Sequence, residues 1–401
     1  MSSPISIAAV ERTLKKNGIS IRHNTVFNEP EILGLPPDYS KGNAPNTLPV
    51  YITDRLKSAN YSDVKSERVN GILATIADKN RFNPIKDMLN SDTWDGTHRI
   101  SDLYEILGIT DDKYKLYIRK WLIQCVALGL NNEDNPVSAE GVLVLQGPQG
   151  IAKTAFFRIL MLPNPKFFVE GAVIDVFNKD SLINATSGWV CELGELDSTM
   201  KKEQSALKAF ITQPYDKIRA PYARNATRRP RRTSFCGTVN PEEYLRDDTG
   251  SRRFWTVPVT QINKTWLFSL TEEWIKQLWF EVYELYQQDH KGFRLTDAQM
   301  AVLQADNTQY EIPLPYEIEL RELVDFSLDN KYWRFWKSSQ ILQLIPGNAN
   351  ASQVGKVLKK IVQSEISSGR WATFTGPIPD MRIRNGCTEY SLPIKHMQVI
   401  R

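Results

Sequence analysis

The sequence predicts an α/β fold: a parallel sheet covered by helices on both faces. Three observations carry the prediction. The stretch GVLVLQGPQGIAKTAFF, residues Gly141 to Phe157, runs from β-formers through a glycine-containing turn to Lys153-Thr154 and an apolar helical start. That is the strand, loop and helix order of a P-loop, whose backbone N–H groups cradle phosphates. Behind it, β-like runs recur at Phe167 to Ile174 and Trp189 to Leu193, with a buried strand at Thr233 to Val239 and a last strand at Arg253 to Val259. Helical stretches, Lys202 to Thr212 among the strands and Thr265 to Gln288 after them, complete the alternation that builds a doubly covered sheet.

The chain has 401 residues, 41% hydrophobic and 24% charged, enough for a sizeable core and for two or three domains. No apolar run approaches the ~20 residues of a membrane span, and the N-terminus lacks a signal-peptide core. The protein is therefore expected to be soluble, to have no membrane partner and to stay in the cytoplasm. Its four cysteines (Cys125, Cys191, Cys236, Cys387) lie in apolar segments without CxxC spacing and read as buried reduced thiols. The four histidines are equally dispersed, so no structural zinc site is expected.

Residues 1–108 read as a mainly helical N-terminal domain. A helix from Ala8 to Lys16 ends at Asn17-Gly18, and a β run follows from Ile19 to Arg22. The Pro-, Gly- and Asn-rich stretch from Glu29 to Pro49 reads as loop. Val64, Val69, Ile72, Leu73 and Ile76 then recur at helical spacing. Asn83 is an N-cap with Pro84 at the first helical position. SDTWDGTHRI, Ser91 to Ile100, reads as a polar turn anchored by a buried Trp94. Residues 109–310 form the sheet core, opening with an amphipathic helix over Lys113 to Leu130. In residues 311–401, a helix from Ser338 to Leu344 precedes one with Val354, Val357, Leu358 and Ile361 inward and Lys356, Lys359 and Lys360 outward. Two β runs flank Asn385-Gly386, a hairpin turn signal. Helix, helix and hairpin predict a winged-helix-like domain, whose lysines suit DNA binding or a solvated face.

A nucleotide-hydrolysing P-loop needs further parts. The loop itself supplies Gly147, Pro148, Gln149, Gly150, Ile151, Ala152, Lys153 and Thr154. Lys153 would reach the β- and γ-phosphates of ATP, and the Thr154 hydroxyl would hold Mg²⁺. WVCELGELD is an apolar strand ending in carboxylates, which puts Glu192 and Glu195 where an acid pair would serve metal and water. FCGTVN ends a second buried strand in Asn240, an amide able to sense the γ-phosphate, or simply a turn former before Pro241. GSRRFWTVPV places Arg252 and Arg253 before the last strand, as a solvated edge or as an arginine finger. A finger working in trans requires head-to-tail assembly, which closes into rings.

Net charge is only +4, but Lys217 to Arg232 holds seven basic residues and no acid. Lys217, Arg219, Tyr222, Arg224, Arg228, Arg229, Arg231 and Arg232 read as an exposed hairpin for phosphate-backbone contact, with Tyr222 offering a stacking face.

The strings WDGTHRI, VLVLQGPQGIAKT, ELGELD, LKAFIT, IRAPYAR, GTVNPEEYLRD and TGSRRFW together resemble the virulence-associated E (VapE-like) family. That family comprises replication proteins of phages and mobile elements, grouped with superfamily 3 helicases. The resemblance spans roughly Trp94 to Val259 and weakens on either side. It implies an AAA+-like ATPase core, hexameric rings and movement on single-stranded or forked DNA in a bacterial host. By the same resemblance Glu192 with Glu195 forms the acidic site, Asn240 is the sensor, Arg252 or Arg253 the finger, and the basic segment a DNA-gripping hairpin. A replication initiator or primase is a candidate partner; the N-terminal region carries no primase-type catalytic set of its own. Ala152 departs from the family pattern, which has Gly before the lysine. Minichromosome maintenance helicases are similar here, having Ala, so the position is expected to have negative φ and the loop to work. The expected function is an ATP-dependent DNA helicase or translocase. The main alternative is a non-catalytic, ATP-assembled origin-binding initiator, and a further one is an ATP-driven regulator or packaging motor.

Overall fold

The computed structural model describes residues 3–194, 204–218, 227–240, 243–245, 252–345, 347–367, 370–371 and 374–395. The chain divides into two compact units, Met1–Glu311 and Ile312–Arg401.

The first unit begins with a small mixed layer. Helix α1 (Ile7–Lys16) is capped by the Ser6 hydroxyl, and strand β1 (Ser20–Asn24) follows the predicted Asn17-Gly18 turn. The stretch expected to be loop contains strand β2 (Glu29–Leu33) and helix α2 (Ala44–Ser58). Its prolines mislead because Pro45 sits in the first turn, where no N–H is needed, and the helix accommodates Pro49 as well. Leu48, Ile52 and Leu56 of α2 pack with Val10 and Leu14 and with Val69, Leu73 and Ile76 of α3 (Ser66–Lys79). Strand β3 (Arg81–Phe82) pairs parallel with β1, giving the order β2-β1-β3. The Asn83 side chain caps α4 (Pro84–Leu89) as its sequence predicts, accepting from the Ile85 and Lys86 N–H groups.

WDGTHRI is a clamp on the next helix, α5 (Ile100–Ile106). Trp94 is only half-buried; the buried group is Arg99, held by Asp95 at 2.6 and 2.7 Å. The buried Glu281 carboxylate accepts the Arg99 and Ile100 N–H groups at 2.7 and 3.1 Å, capping α5 from a distant part of the chain.

Helix α6 (Asp112–Gly129) leads to the central sheet. Its strands are β4 (Val142–Gln146), β5 (Phe168–Ala172), β6 (Val190–Leu193), β9 (Ser234–Val239) and β10 (Phe254–Pro258). All neighbours are parallel, in the order β10-β4-β9-β6-β5. Alternate residues feed two cores, as the strand period requires. Leu143, Leu145, Trp255 and Val257 pack with Trp121 and Trp279 on one face. Val142, Val144, Cys191 and Phe254 pack with Phe210, Ile211 and Tyr244 on the other. Helices α7 (Lys153–Leu160), α8 (Lys179–Ala185) and α9 (Gln204–Ile211) lie between strands. A hairpin, β7 (Tyr215–Ile218) with β8 (Thr227–Pro230), precedes β9. The single helix expected after the sheet is two, α10 (Lys264–Ser269) and α11 (Glu272–Gln288), because the Thr271 hydroxyl caps a new start. Helix α12 (Asp297–Asn307) closes the unit. Cys125, Cys191 and Cys236 are buried as expected, whereas Cys387 is exposed, since it follows a hairpin turn.

The second unit comprises α13 (Glu317–Leu323), β11 (Trp333–Lys337), α14 (Ser338–Ile341), α15 (Ala351–Ser367), β12 (Asp380–Arg384) and β13 (Cys387–Pro393). Its sheet is antiparallel in the order β11-β13-β12. Asn385 and Gly386 both take positive φ, 51° and 72°, as a tight hairpin turn demands. The buried Glu317 is central. Burial pushes its pKa up, yet hydrogen bonds from the Leu314 N–H, Arg321 and Lys360 outweigh this and hold it below the ordinary carboxylate range. A depressed carboxylate stabilises the fold above its unfolded pKa, and that stability is lost as pH falls through the folded value. Hydrogen exchange on the full chain is therefore expected to show the C-terminal peptides losing protection in acid, with Glu317→Gln flattening the dependence.

Candidate functional site

The loop between β4 and α7 lies at the C-terminal ends of the parallel strands, where open α/β sheets place ligands. Gly147 has no alternative there, since an added Cβ would fall 1.9 Å from the Val259 carbonyl oxygen. Ala152 takes φ +81°, ψ 30°, the left-handed region. The expectation of negative φ is thus overturned: the turn into α7 needs a left-handed residue, which Gly adopts freely and Ala at a cost of about 1–2 kcal/mol.

Lys153 is buried, and its ammonium donates to the carbonyls of Gly147 and Pro148, both at 2.7 Å, and to Asn240 Oδ1 at 3.0 Å. Burial lowers its pKa. Asn240 follows β9 and Gly147 follows β4, two strands paired from Leu143↔Cys236 to Gln146↔Val239, so both loops leave the sheet at one level.

Glu192 points from β6 into the same crevice. Its Oε1 accepts from Thr154 Oγ1 at 2.6 Å and from Thr238 Oγ1 at 3.1 Å, and it is 4% exposed. Burial raises its pKa, and the two hydroxyls only partly offset this. A hydroxyl beside a desolvated carboxylate is an all-oxygen donor set, the kind a hard divalent cation takes. Among the described residues no group of three or more His, Cys, Asp or Glu is placed to hold a metal ion. Any cation would need ligand oxygens from a bound anion or water.

The structure therefore brings together Lys153, Thr154, Glu192 and Asn240. Glu195 lies outside the described residues. Sequence reasoning missed two members: Thr238, two residues before Asn240, and Lys264. Lys264 Nζ donates to the Gly150 carbonyl at 2.8 Å, putting a second cation on the loop. Strand alternation could have found Thr238; nothing local points to Lys264.

Arg252 and Arg253 are placed elsewhere. They precede Phe254, which pairs with Val142 at the start of β4, and the Arg253 carbonyl accepts from the Val142 N–H at 2.8 Å. The end of the sheet that carries the β4–α7 loop is four strand residues away, about 13 Å.

The basic segment splits by strand alternation. Lys217 and Arg228 face one another across the hairpin and are exposed, with Arg228 stacked over Tyr215 at 3.7 Å. Asp216 and Arg229 face one another on the inner side. Arg231 is fully buried, bound to Asp216 at 2.5 and 2.9 Å and to the Phe210 carbonyl, beneath the Phe210 ring. Its expected role in DNA contact is corrected: a guanidinium enclosed in this way cannot touch a phosphate backbone. Arg232 turns to the Thr25 carbonyl at 3.1 Å. Arg219, Tyr222 and Arg224 lie outside the described residues. On α15, Lys356 and Lys359 are exposed, while Lys360 faces inward to Glu317 at 3.1 Å, a correction to its outward placement.

Together, the parallel sheet, the glycine loop and the convergent Lys, Thr, Glu and Asn define a mixed α/β protein with a polar crevice at the C-terminal ends of its strands. Residues 89–312, over half the chain, match the family model described as the virulence-associated protein E-like domain, and the chain belongs to that family. No curated protein matches it. Two solved structures to which it is similar are described as the apo structure of the NrS-1 C terminal region (305-718) and the A form apo structure of the NrS-1 C terminal region. The first has 11% identity and a TM-score of 0.46, covering 96% of this chain and 98% of that one. The second has 12% identity and a TM-score of 0.48, covering 98% and 100%. Among the described residues no helix is long and apolar enough to cross a membrane.

Two stability predictions follow from this geometry. Ala152→Gly is expected to stabilise the protein by about 1 kcal/mol in urea denaturation, since it removes left-handed strain. Arg231→Ala leaves Asp216 buried without its main partner and should cost about 3–5 kcal/mol in the same measurement.

Proposed function

We propose that the chain is an ATP-dependent DNA helicase or translocase of phage or mobile-element replication, with an AAA+-like core. The observation that supports this best is the convergence of Lys153, Thr154, Glu192 and Asn240 at the ends of β4, β6 and β9. The residues fit ATP and Mg²⁺. Lys153 would release its carbonyl partners to meet phosphate oxygens, and Thr154 with Glu192 would hold the metal. Of the acid pair, Glu192 would hold the metal and Glu195 would orient the attacking water, and Asn240, already bonded to Lys153, would register the terminal phosphate. When bound, the phosphates would supply the negative charge that favours ionised Lys153, and the cation the positive charge that favours ionised Glu192.

Arg252 and Arg253 sit too far along the sheet to serve the loop of their own subunit. This favours their use in trans, on the nucleotide of a neighbour in a closed ring, for which a hexamer is the proposed form. Lys217 and Arg228 form the exposed edge of the hairpin and would follow the DNA backbone. The order α13, β11, α14, α15, β12, β13 supports a winged-helix reading, in which the exposed Lys356 and Lys359 would face duplex DNA or a partner.

The non-catalytic initiator remains a second reading because of one observation, the strained Ala152. DNA-stimulated ATP hydrolysis separates the two. The wild type is expected to exceed Lys153→Ala and Glu192→Gln by about 10²–10³-fold; equal rates in all three would leave the initiator. Lys217→Ala with Arg228→Ala should weaken DNA binding and reduce its salt slope by about 2, whereas an unchanged slope would show that the hairpin edge is only solvated.

A further inference from the structure

At the opposite end of β4 from the crevice, helix α6 and the connection between α11 and α12 leave a groove of about 520 Å³, open along one side. Two contacts fix its place. Gln124 Nε2 on α6 donates to the Gly141 carbonyl, just before β4, at 2.9 Å, and Arg294 on the connection pairs with Glu140 at 3.3 Å. One wall is a single stripe of α6, where Leu116, Arg119, Lys120 and Ile123 recur at i, i+3, i+4 and i+7. The facing wall comes from Leu285 near the end of α11 and from Lys291, Arg294 and Leu295 in the connection.

The walls are held in place by the protein itself. Lys120 is 9% exposed, and its ammonium donates to the Gly292 carbonyl at 2.9 Å and to the Arg294 carbonyl at 2.5 Å, fastening the connection to α6. Asp289 accepts the Lys291 N–H at 2.9 Å, and the Thr296–Gln299 capping box fixes the start of α12. Between these walls Leu116, Leu285 and Leu295 are only half-buried, so part of their apolar surface faces the groove.

The charge around this apolar floor is unbalanced. Arg119 and Lys291 are exposed and make no ion pair among the described residues. Arg294 has Glu140, and Asp289 is the only acid among the described residues that line the groove. Burial lowers the Lys120 pKa, with Asp289 opposing and Arg119 adding to it.

These features select among anionic ligands. The volume falls within the roughly 300–1,000 Å³ of natural ligand sites. A nucleic-acid strand would stack its bases on aromatic rings, and no aromatic side chain lines the groove among the described residues. A small anion would meet the cations and leave the leucines uncovered. A peptide that carries both carboxylates and leucine-sized side chains satisfies both parts: the apolar groups cover the floor, and the carboxylates meet Arg119 and Lys291 at the rim.

We propose that this groove docks an acidic, leucine-bearing peptide segment of a partner protein. It shares no residue with the crevice, so the proposal stands or falls apart from the ATPase reading.

The test is fluorescence anisotropy on the full-length protein with a labelled peptide of three aspartates followed by two leucines. Saturable binding is expected, weakened about tenfold or more when asparagine replaces the aspartates, and likewise when alanine replaces the leucines. Arg119→Glu with Lys291→Glu puts like charge at the rim and should lower the affinity to the same extent. Should that double variant not fold, Lys291→Gln alone should weaken binding about threefold and reduce its salt dependence. Control peptides that bind as well as the first, or an affinity unchanged by the substitutions, overturn the proposal. So does a single-stranded oligodeoxynucleotide that displaces the peptide and loses its own binding in the double variant, which would make the groove a DNA track. A change of oligomeric mass in the double variant on ultracentrifugation would make it a contact between copies of this chain, and overturns the proposal equally.

Discussion

The candidate site depends on where strand β4 stops. Its register against β9 puts Gln146 beside Val239, and that of β6 puts Glu192 beside Cys236. The β4–α7 loop, Asn240 and the Glu192 carboxylate then share one level of the sheet. Side chains alternate faces, so a slip of one residue in β6 would exchange Glu192 with Cys191 or Leu193, which pack in the core. The large side chains beneath prevent that slip. Trp189 and Trp279 stack at 4.4 Å, and their indoles donate to the Cys125 and Leu160 carbonyls at 2.7 and 2.8 Å. Packing far from the chemistry thus sets the geometry of the crevice.

The crevice stores charge in an unfavourable form. Lys153 and Glu192 are both desolvated, and both are shifted toward their neutral states. No hydrogen bond joins the two; carbonyls and an amide solvate the ammonium, hydroxyls the carboxylate. Such a pair gains most from a ligand carrying both signs, an anion toward Lys153 and a cation toward Glu192. Ala152 adds backbone strain at the same place. Energy held at a loop in this way is a recurrent property of binding sites, since the core can sustain what an isolated turn would not.

Much of this was legible in the sequence, and the failures have physical causes. Four of the five sheet strands, β4, β6, β9 and β10, announce themselves as short apolar runs because both faces are buried, and Asn83 and Asn385-Gly386 act locally, so their roles can be read locally. The residues that converge on the crevice follow from strand-end positions. What could not be read depends on distant partners. Glu281 caps a helix more than 170 residues earlier in the chain, so WDGTHRI looked like an ordinary turn. Lys264 meets Gly150 only in the fold. The prolines near Ala44 resemble loop composition although Pro45 suits a first helical turn.

The basic segment gives the most general lesson. Its arginines are equivalent as composition, yet strand alternation and one buried acid divide them into three environments. Lys217 and Arg228 face outward, Arg231 neutralises Asp216 inside, and Arg229 with Arg232 turns toward the N-terminal sheet. The division matters energetically because a buried guanidinium must be matched by acceptors, while an exposed one is solvated by water. Arg231 has its match in Asp216 and two backbone carbonyls. Arg229 and Arg232 are matched only in part, on Thr186 Oγ1 and the Thr25 carbonyl, with Arg229 Nη1 and Arg232 Nε buried without an acceptor among the described residues. A high local density of arginine therefore identifies only an excess of positive charge; which charges remain available is decided by the one carboxylate the fold carries inward to meet them.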